Sequence, residues 1–223
     1  MQSYQIQNTA KNNVQGNKNA KIIRLNPSDF AIASDHLSAA FSQDPLINYF
    51  LPEDSVAKQR SLKHLSGAFL NFAQPYGHIY TTADEPKGVA IWLPPEAFQT
   101  ALSQLQQAIA SGLIVSPFFM RWSRIMDLIS LVATEFQLHD KLAPEPHWYL
   151  GMLGVSPSYQ GQGIGGMLLQ PVLEQADRTK MPCYLETTTT AAVRFYQRRG
   201  FEVVHQERFA GREYWAMKRY PQR

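Results

Sequence analysis

From residue 21 onward the apolar positions follow two rhythms, and the switches between them mark out the elements. Short alternating or continuously apolar runs at 21–25 (KIIRL), 78–82, 88–93, 148–155 (WYLGMLGV) and 182–187 (PCYLET) predict strands. Val203-Val204 and residues 214–217 read as a closing antiparallel pair. Asp84-Glu85-Pro86 is a turn, and Pro94-Pro95 ends the strand before it. Helical spacing fills the intervals. Asn26-Pro27-Ser28-Asp29 opens a helix with proline in its first turn, followed by Ile32, Leu37, Ala40 and Phe41. A second helix spans 55–72, with Leu62, Leu65, Phe69 and Phe72 on one face. Residues 96–138 are helical again, broken at Ser116-Pro117, with Phe118, Phe119 and Trp122 expected in the core. A helix over 163–178 turns Ile164, Leu168, Val172 and Leu173 inward, and Pro171 is expected to kink it. A last helix at 191–199 closes on Gly200, a left-handed cap with apolar Phe201 beyond it.

Ahead of residue 20 the pattern stops. Residues 1–19 are rich in Gln and Asn and hold too few apolar groups to repay their ordering entropy, which predicts a disordered polar tail. The remainder, 20–223, reads as one domain with a helical insertion at about 96–138. Composition sharpens this only a little. The 223 residues are 44% hydrophobic, ordinary for a chain with a real core, and the net charge of +3 comes without a Lys/Arg run, so nucleic acid is not the expected partner. One cysteine, Cys183, excludes an internal disulfide framework. There is no signal-peptide pattern and no bilayer-length apolar run, so the expectation is a cytoplasmic protein with no membrane partner.

The candidate chemistry lies in the last third. A strand, the run Gln160, Gly161, Gln162, Gly163, Ile164, Gly165 and Gly166, and then a helix make an anion site, because first-turn N–H groups and the helix dipole point out and glycine lets a pyrophosphate approach. On spacing alone, Gly161, Gly163 and Gly166 also fit the dinucleotide fingerprint G-x-G-x-x-G, with Glu186 about 20 residues on as the ribose acid. Against that rival, the run sits late in the chain, and too little follows Glu186 for further βα units. It stays a minor alternative. Gly-Lys-Ser/Thr, H-E-x-x-H and G-x-S-x-G patterns are absent, and the six histidines lack metal-ligand spacing, so no metal is expected.

Leu153-Gly154-Val155-x-Pro157-x-x-Gln160-Gly161-x-Gly163-Ile164-Gly165, then Leu185-Glu186-Thr187, then Phe195-Tyr196-x-x-x-Gly200-Phe201, resembles the GNAT superfamily of acyl-CoA N-acyltransferases. The order HWYLGMLGVSP…QGQGIG…YLET…FYQRRGF is similar to the branch containing puromycin N-acetyltransferase, as is Gly88-Val89-Ala90-Ile91-Trp92 before Pro94-Pro95. The likeness is strong over 148–217, weaker over 22–95 and thin over 96–146. It implies an α+β fold whose mixed, mostly antiparallel sheet, flanked by helices, is splayed between strands 148–155 and 182–187. It implies acetyl-CoA as cofactor, its pantetheine arm on the main chain of Leu153, Gly154 and Val155 and its pyrophosphate on Gln160 to Gly166. Gly151 and Gly154 suit a bulge or a close backbone approach. Ala192 stands where the family usually has an asparagine on the cofactor arm, and Thr188 to Thr190 are the available substitutes.

Transfer to an amine requires a neutral amine, a polarised carbonyl and a protonated leaving thiolate. The resemblance makes Tyr196 the acid, in the cofactor site, against a reading as a helix tyrosine packed on Phe195 and Phe201. Glu186 is the candidate base, against a strand-end carboxylate paired with an arginine such as Arg194. The N–H of Leu153 is the oxyanion donor. Trp92, His147 and Tyr149 are candidate acceptor-pocket residues, with His147 a second possible base. The expected function is transfer of an acetyl group to a primary amine, chiefly of a small molecule, by a monomer or homodimer. A peptide or protein acetyltransferase and a non-catalytic acyl-CoA-binding module are the competing functions.

Overall fold

The computed structural model describes residues 20–98 and 101–222; the tail expected over 1–19 lies outside them. The strands are β1 (Ile22–Arg24), β2 (Ile79–Thr82), β3 (Gly88–Leu93), β4 (Trp148–Val155), β5 (Cys183–Thr187), β6 (Glu202–Phe209) and β7 (Arg212–Arg219). They form one sheet in the order β1-β2-β3-β4-β5-β7-β6, antiparallel at every step except β4 to β5. The helices are α1 (Phe30–Phe41), α2 (Pro45–Phe50), α3 (Ser55–Ala73), α4 (Ala101–Ala110), α5 (Ile125–Leu142), α6 (Ile164–Thr179) and α7 (Thr190–Gln197). The architecture is α+β, as the strand and helix rhythms together with the resemblance imply.

Each face of the sheet has its own core, because strand side chains alternate. One face carries Tyr80, Ala90, Trp92, Trp148, Leu150, Cys183, Leu185, Trp215 and Met217 beneath Leu168, Leu169 and Val172 of α6 and Val193 and Tyr196 of α7. The other carries Ile79, Val89, Ile91, Leu93 and Met152 beneath Ala33 and Leu37 of α1 and Leu70 and Ala73 of α3. β4 contributes to both cores in succession. Its register against β3 jumps between Ile91 and Trp92, which pair with Met152 and Leu150, so Gly151 is an unpaired bulge residue. After it the alternation reverses: Leu150 faces α6, while Met152 faces α1 and α3. Gly154 allows α1 to close on the strand, since a Cβ there would stand 2.9 Å from Leu37 Cδ2 and 3.0 Å from Ala40 Cβ.

Several expectations shift. Ile32 is half exposed, and the inward face of α1 runs through Ala33, Ser34, Leu37 and Ser38. There small side chains bring α1 against α3, with Ser38 Oγ donating to the Ser34 carbonyl at 2.7 Å. Phe118 and Trp122 are not core: they are 66% and 63% exposed and meet edge to face at 5.7 Å. The chain there is two short 3-10 turns separated by extended Met120 and Arg121, so no continuous α-helical stripe forms. Phe119 alone turns in, stacked on His64 at 4.1 Å. The unexpected α2 is capped by Asp44, whose Oδ1 accepts from Leu46 N and Ile47 N, with Pro45 at its first position. α6 runs through Pro171 as one helix. Gly200 does adopt a left-handed φ of 82°, with Phe201 buried behind it.

Candidate active site

β4 and β5 pair only at Trp148↔Cys183 and Tyr149↔Tyr184, although β4 continues to Val155 and β5 to Thr187. Beyond that point the two strands part. The N–H of Ser156 donates to the Lys87 carbonyl, toward β3, so alternation turns the main-chain groups of Val155 and Leu153 away from β3 into the gap. At the other end the N–H of Trp148 donates to the Pro182 carbonyl, on the β5 side. Positions 148 and 153 differ by an odd number, so both can face the gap only because of the Gly151 bulge. Main-chain donors and acceptors thus line a slot between two strands, as an amide-bearing chain such as pantetheine requires.

At the far end of β4, Gly161 and Gly163 hold φ values of 78° and 82°, a region L side chains rarely adopt, and no neighbouring atom lies within 4 Å of where their Cβ would be. α6 starts at Ile164, whose N–H and that of Gly165 precede the first helical bonds, while the Gly166 N–H already donates to the Gly163 carbonyl at 3.0 Å; Gln160 Nε2 ties the loop back to the Val155 carbonyl at 3.0 Å. Gly165 and Gly166 serve another purpose, making room for Phe195 of α7 and for the Arg199 side chain just beyond it. A Cβ would stand 3.2 Å from Phe195 Cζ at the first and 2.4 Å from Arg199 Nη2 at the second. Arg199 lies over the Phe195 ring at 3.6 Å, and a pocket of about 790 Å³ beside Gly163 and Gly166 is bordered by Arg198 and Arg199. Open glycines, a helix N-terminus and two guanidinium groups fit a pyrophosphate-bearing cofactor.

Where the gap opens stands Glu186. Register places Tyr149, Tyr184, Glu186 and Ala216 on one face, with Tyr214 two positions from Ala216. α5 covers that face: Leu131 packs with Tyr214, His139 lies 5.4 Å from the Tyr149 ring and 5.2 Å from the Tyr184 ring, and Leu142 packs with Tyr184. Burial pushes the Glu186 carboxyl up to about 7, against the nearby hydroxyls of Tyr149 and Tyr184, which favour its charged form. It nevertheless retains partial solvent access. Among the described residues Glu186 makes no ion pair; Arg194 is exposed on α7. A carboxylate with that affinity for protons, at the edge of a slot, is suited to proton transfer near neutral pH.

Tyr196 is buried on the opposite, α6 side, edge to face with Phe195 at 5.1 Å and Phe201 at 5.7 Å. Burial raises its hydroxyl well above the usual range, so it stays protonated. Of the residues expected in the acceptor pocket, only Tyr149 stands beside Glu186. Trp92 is fully buried under α6, because Ile91 is the β3 residue that faces α1 and α3. His147 is buried with both ring nitrogens engaged: Nδ1 lies 2.7 Å from the Glu145 carbonyl and Nε2 lies 2.7 Å from His139 Nε2. A carbonyl only accepts, so His147 carries its proton on Nδ1 and accepts from His139, leaving no free base there. Burial holds His139 down to about 4 and lowers His147 as well. Thr188 is tied to Asp44 Oδ2 at 2.5 Å and Thr189 caps α7 through Ala192 N, so neither is free to replace the missing asparagine; Thr190 remains. Cys183 is buried with its thiol pushed up to about 12, an unreactive state, and no metal-binding group occurs among the described residues. Tyr184, Tyr214, His139 and Glu135 were not foreseen. The first was legible, since it alternates with Glu186 along one strand; the others depend on which helix covers that face.

A model of the acetyltransferase (GNAT) family matches residues 89–201. Over 187 residues the chain is 23% identical to an uncharacterized N-acetyltransferase of Schizosaccharomyces pombe, a match spanning 80% of this chain and 72% of that protein. Among solved structures it is similar to one described as histone acetyltransferase HPA2 and related acetyltransferase from Corynebacterium glutamicum, at 25% identity and a TM-score of 0.63, covering 92% and 97% of the two chains. It shares the fold of a Drosophila melanogaster polyamine N-acetyltransferase, at 16% identity, a TM-score of 0.55 and coverage of 90% and 99%. With half the chain inside the family model and the splayed sheet to match, the protein belongs to the GNAT family and is an acyl-CoA-dependent N-acetyltransferase.

Proposed function

We propose that the protein transfers an acetyl group from acetyl-CoA to a primary amine of a small molecule, directly, with both substrates bound at once. The observation that carries this is Glu186, a half-buried carboxylate with an affinity for protons near neutrality, at the point where β4 and β5 separate. The sequence likeness to the puromycin N-acetyltransferase branch supports a small acceptor.

The main-chain groups of Leu153 and Val155 line the gap and would hold the pantetheine arm, with those of the intervening Gly154 spent on β3, while Gln160, Gly161, Gln162, Gly163 and the α6 start at Ile164 would hold the pyrophosphate. When bound, acetyl-CoA supplies the activated thioester. Glu186 takes a proton from the incoming ammonium, directly or through water, which frees the nitrogen lone pair. The N–H of Leu153, turned into the gap, donates to the carbonyl oxygen as negative charge builds there. As the C–N bond forms and the C–S bond breaks, the Tyr196 hydroxyl donates to the departing sulfur from the α6 side. The nitrogen loses its second proton to water as the amide forms, and Tyr196 regains a proton from solvent. Base and acid thus sit on opposite faces of the sheet, joined by the gap.

Release of free thiol from acetyl-CoA, measured across a panel of alkylamines, aromatic amines and short peptides, tests this reading. Turnover confined to small primary amines is the expected result. Turnover only with peptides would replace the acceptor class, and none with any amine would remove the catalytic assignment.

A further inference from the structure

The helical insertion over 96–138, in sequence a candidate cover for the acceptor groove or a dimer contact, supplies α5, which sets a carboxylate over the face that carries Glu186. Glu135 lies one turn after Leu131, which packs with Tyr214, and one turn before His139, which packs with Tyr149 and Tyr184. Its position between these anchors sets it above the β5–β7 face that carries Glu186 and Tyr214. The proximity is felt electrostatically: burial and then the Glu186 charge raise Glu135 to about 8. The Tyr214 hydroxyl, in a residue only 2% exposed, has no hydrogen-bond partner among the described residues and senses both carboxylates.

No cation of the protein compensates this pair among the described residues. Lys218, buried and on the same face as its strand partner Tyr184, is committed to Glu145 at 2.6 Å and to the Leu142 carbonyl at 2.9 Å. Two electrostatically coupled carboxylates, an orphaned hydroxyl and the rings of Tyr149, Tyr184 and His139 make surroundings chemically complementary to positive charge. With Glu135 raised to about 8, the free pair shares a proton near neutrality and a monocationic amine meets only one negative charge, which it gives up when Glu186 takes its proton; a second cation is what holds Glu135 ionised. A second, non-reacting cation keeps Glu135 compensated throughout.

We propose that Glu135 is an acceptor-binding, specificity-determining residue and that the acceptor is a dication, an alkylamine bearing a second cationic group. This rests on the reading of Glu186 as the site of amine deprotonation. The test compares putrescine with n-butylamine, which has the same four carbons but lacks the second amine, with acetyl-CoA and thiol detection. The intact protein should favour putrescine in kcat/KM by about tenfold or more, the scale of a charge-assisted hydrogen bond. In Glu135→Gln the preference should fall to within about threefold, through KM rather than kcat. Equal rates for the two amines in the intact protein, or an unchanged preference in the variant, would overturn the proposal.

A second readout needs no turnover. Putrescine, and not n-butylamine, should raise the melting temperature of the intact protein, and Glu135→Gln should abolish that shift; equal shifts in both proteins count against the proposal. If the shift depends on Glu135 while no amine releases thiol, the binding assignment stands and the catalytic reading falls. Should Glu135→Gln not fold, Tyr214→Phe carries the same comparison, with a weakened putrescine shift expected and an unchanged one contrary.

Discussion

Glu186 and Tyr196 show how one residue's surroundings set its chemistry. Burial pushes both upward, but the outcomes differ. The carboxylate moves into the range where it exchanges a proton at neutral pH, whereas the phenol stays protonated, able to hydrogen-bond to a thiolate but a weaker acid than a free tyrosine. The activity limb controlled by Glu186 should therefore rise as pH increases through about 7, since the base works only when deprotonated. Glu186→Gln should lower kcat/KM by roughly 100-fold or more and erase that limb. A pH–rate profile of the two proteins checks this, and a limb that persists in the variant would assign the base elsewhere. The place of Glu186, at a strand end beside the gap, was legible in the sequence. That of Glu135 was not, because nothing in a helix-period pattern says which strand face the helix will cover.

At the scale of elements, most boundaries follow from local chemistry. β3 and β4 coincide with their apolar runs at 88–93 and 148–155. α7 ends where Gly200 permits a left-handed turn. Failures occurred where tertiary contact overrides local pattern, as at Phe118 and Trp122, or where a short element has little apolar content to announce it, as at α2. Even α2 carried its signal in Asp44-Pro45. The glycine loop divides by function. Gly161 and Gly163 are needed for their backbone angles and open space, Gly165 for the approach of Phe195 on α7, and Gly166 for the Arg199 side chain just beyond that helix. Gly163→Ala should cost about 1–2 kcal/mol from its left-handed φ alone, with no clash to add. Thermal unfolding would show that loss, and isothermal titration should show weaker acetyl-CoA binding as the loop backbone relaxes. An unchanged affinity would separate the loop from cofactor binding.

For the whole molecule, the shifted groups dictate how stability follows pH. Glu186 and Glu135 are raised in the folded state, to about 7 and about 8, so folding binds extra protons between the unfolded carboxylate range and those values. Their contribution is complete below the unfolded pKa and is lost as pH rises through the folded one. His139 is depressed to about 4, so its burial costs stability as pH falls below the free imidazole value. Asp177, held low chiefly by its hydrogen bond to Arg219, also loses its contribution on acidification. Above the free imidazole value of 6.5 only the two carboxylates act, so the melting temperature should decline as pH rises from there to about 8, and it should decline again below the ordinary carboxylate range as Asp177 is protonated. Combining Glu135→Gln with Glu186→Gln should flatten the alkaline decline and leave the acid one in place. A melting-temperature series from acid to mildly alkaline buffer would reveal a decline in the double variant as steep as in the intact protein if the assignment is wrong.

The unpaired Gly151 makes β4 a strand with a phase slip built into it. Upstream of it, even-numbered side chains belong to the α6 core; downstream they belong to the α1 and α3 core, and the odd positions change sides with them. The spacing between Tyr149 and Leu153 is therefore a counting constraint rather than a compositional one. Losing or gaining a single residue there would exchange the inward and outward sets of Met152 to Val155 and turn the gap-lining amides back toward β3. Side chains around the slot can drift while this count holds, which makes chain length at this point more restrictive than residue identity.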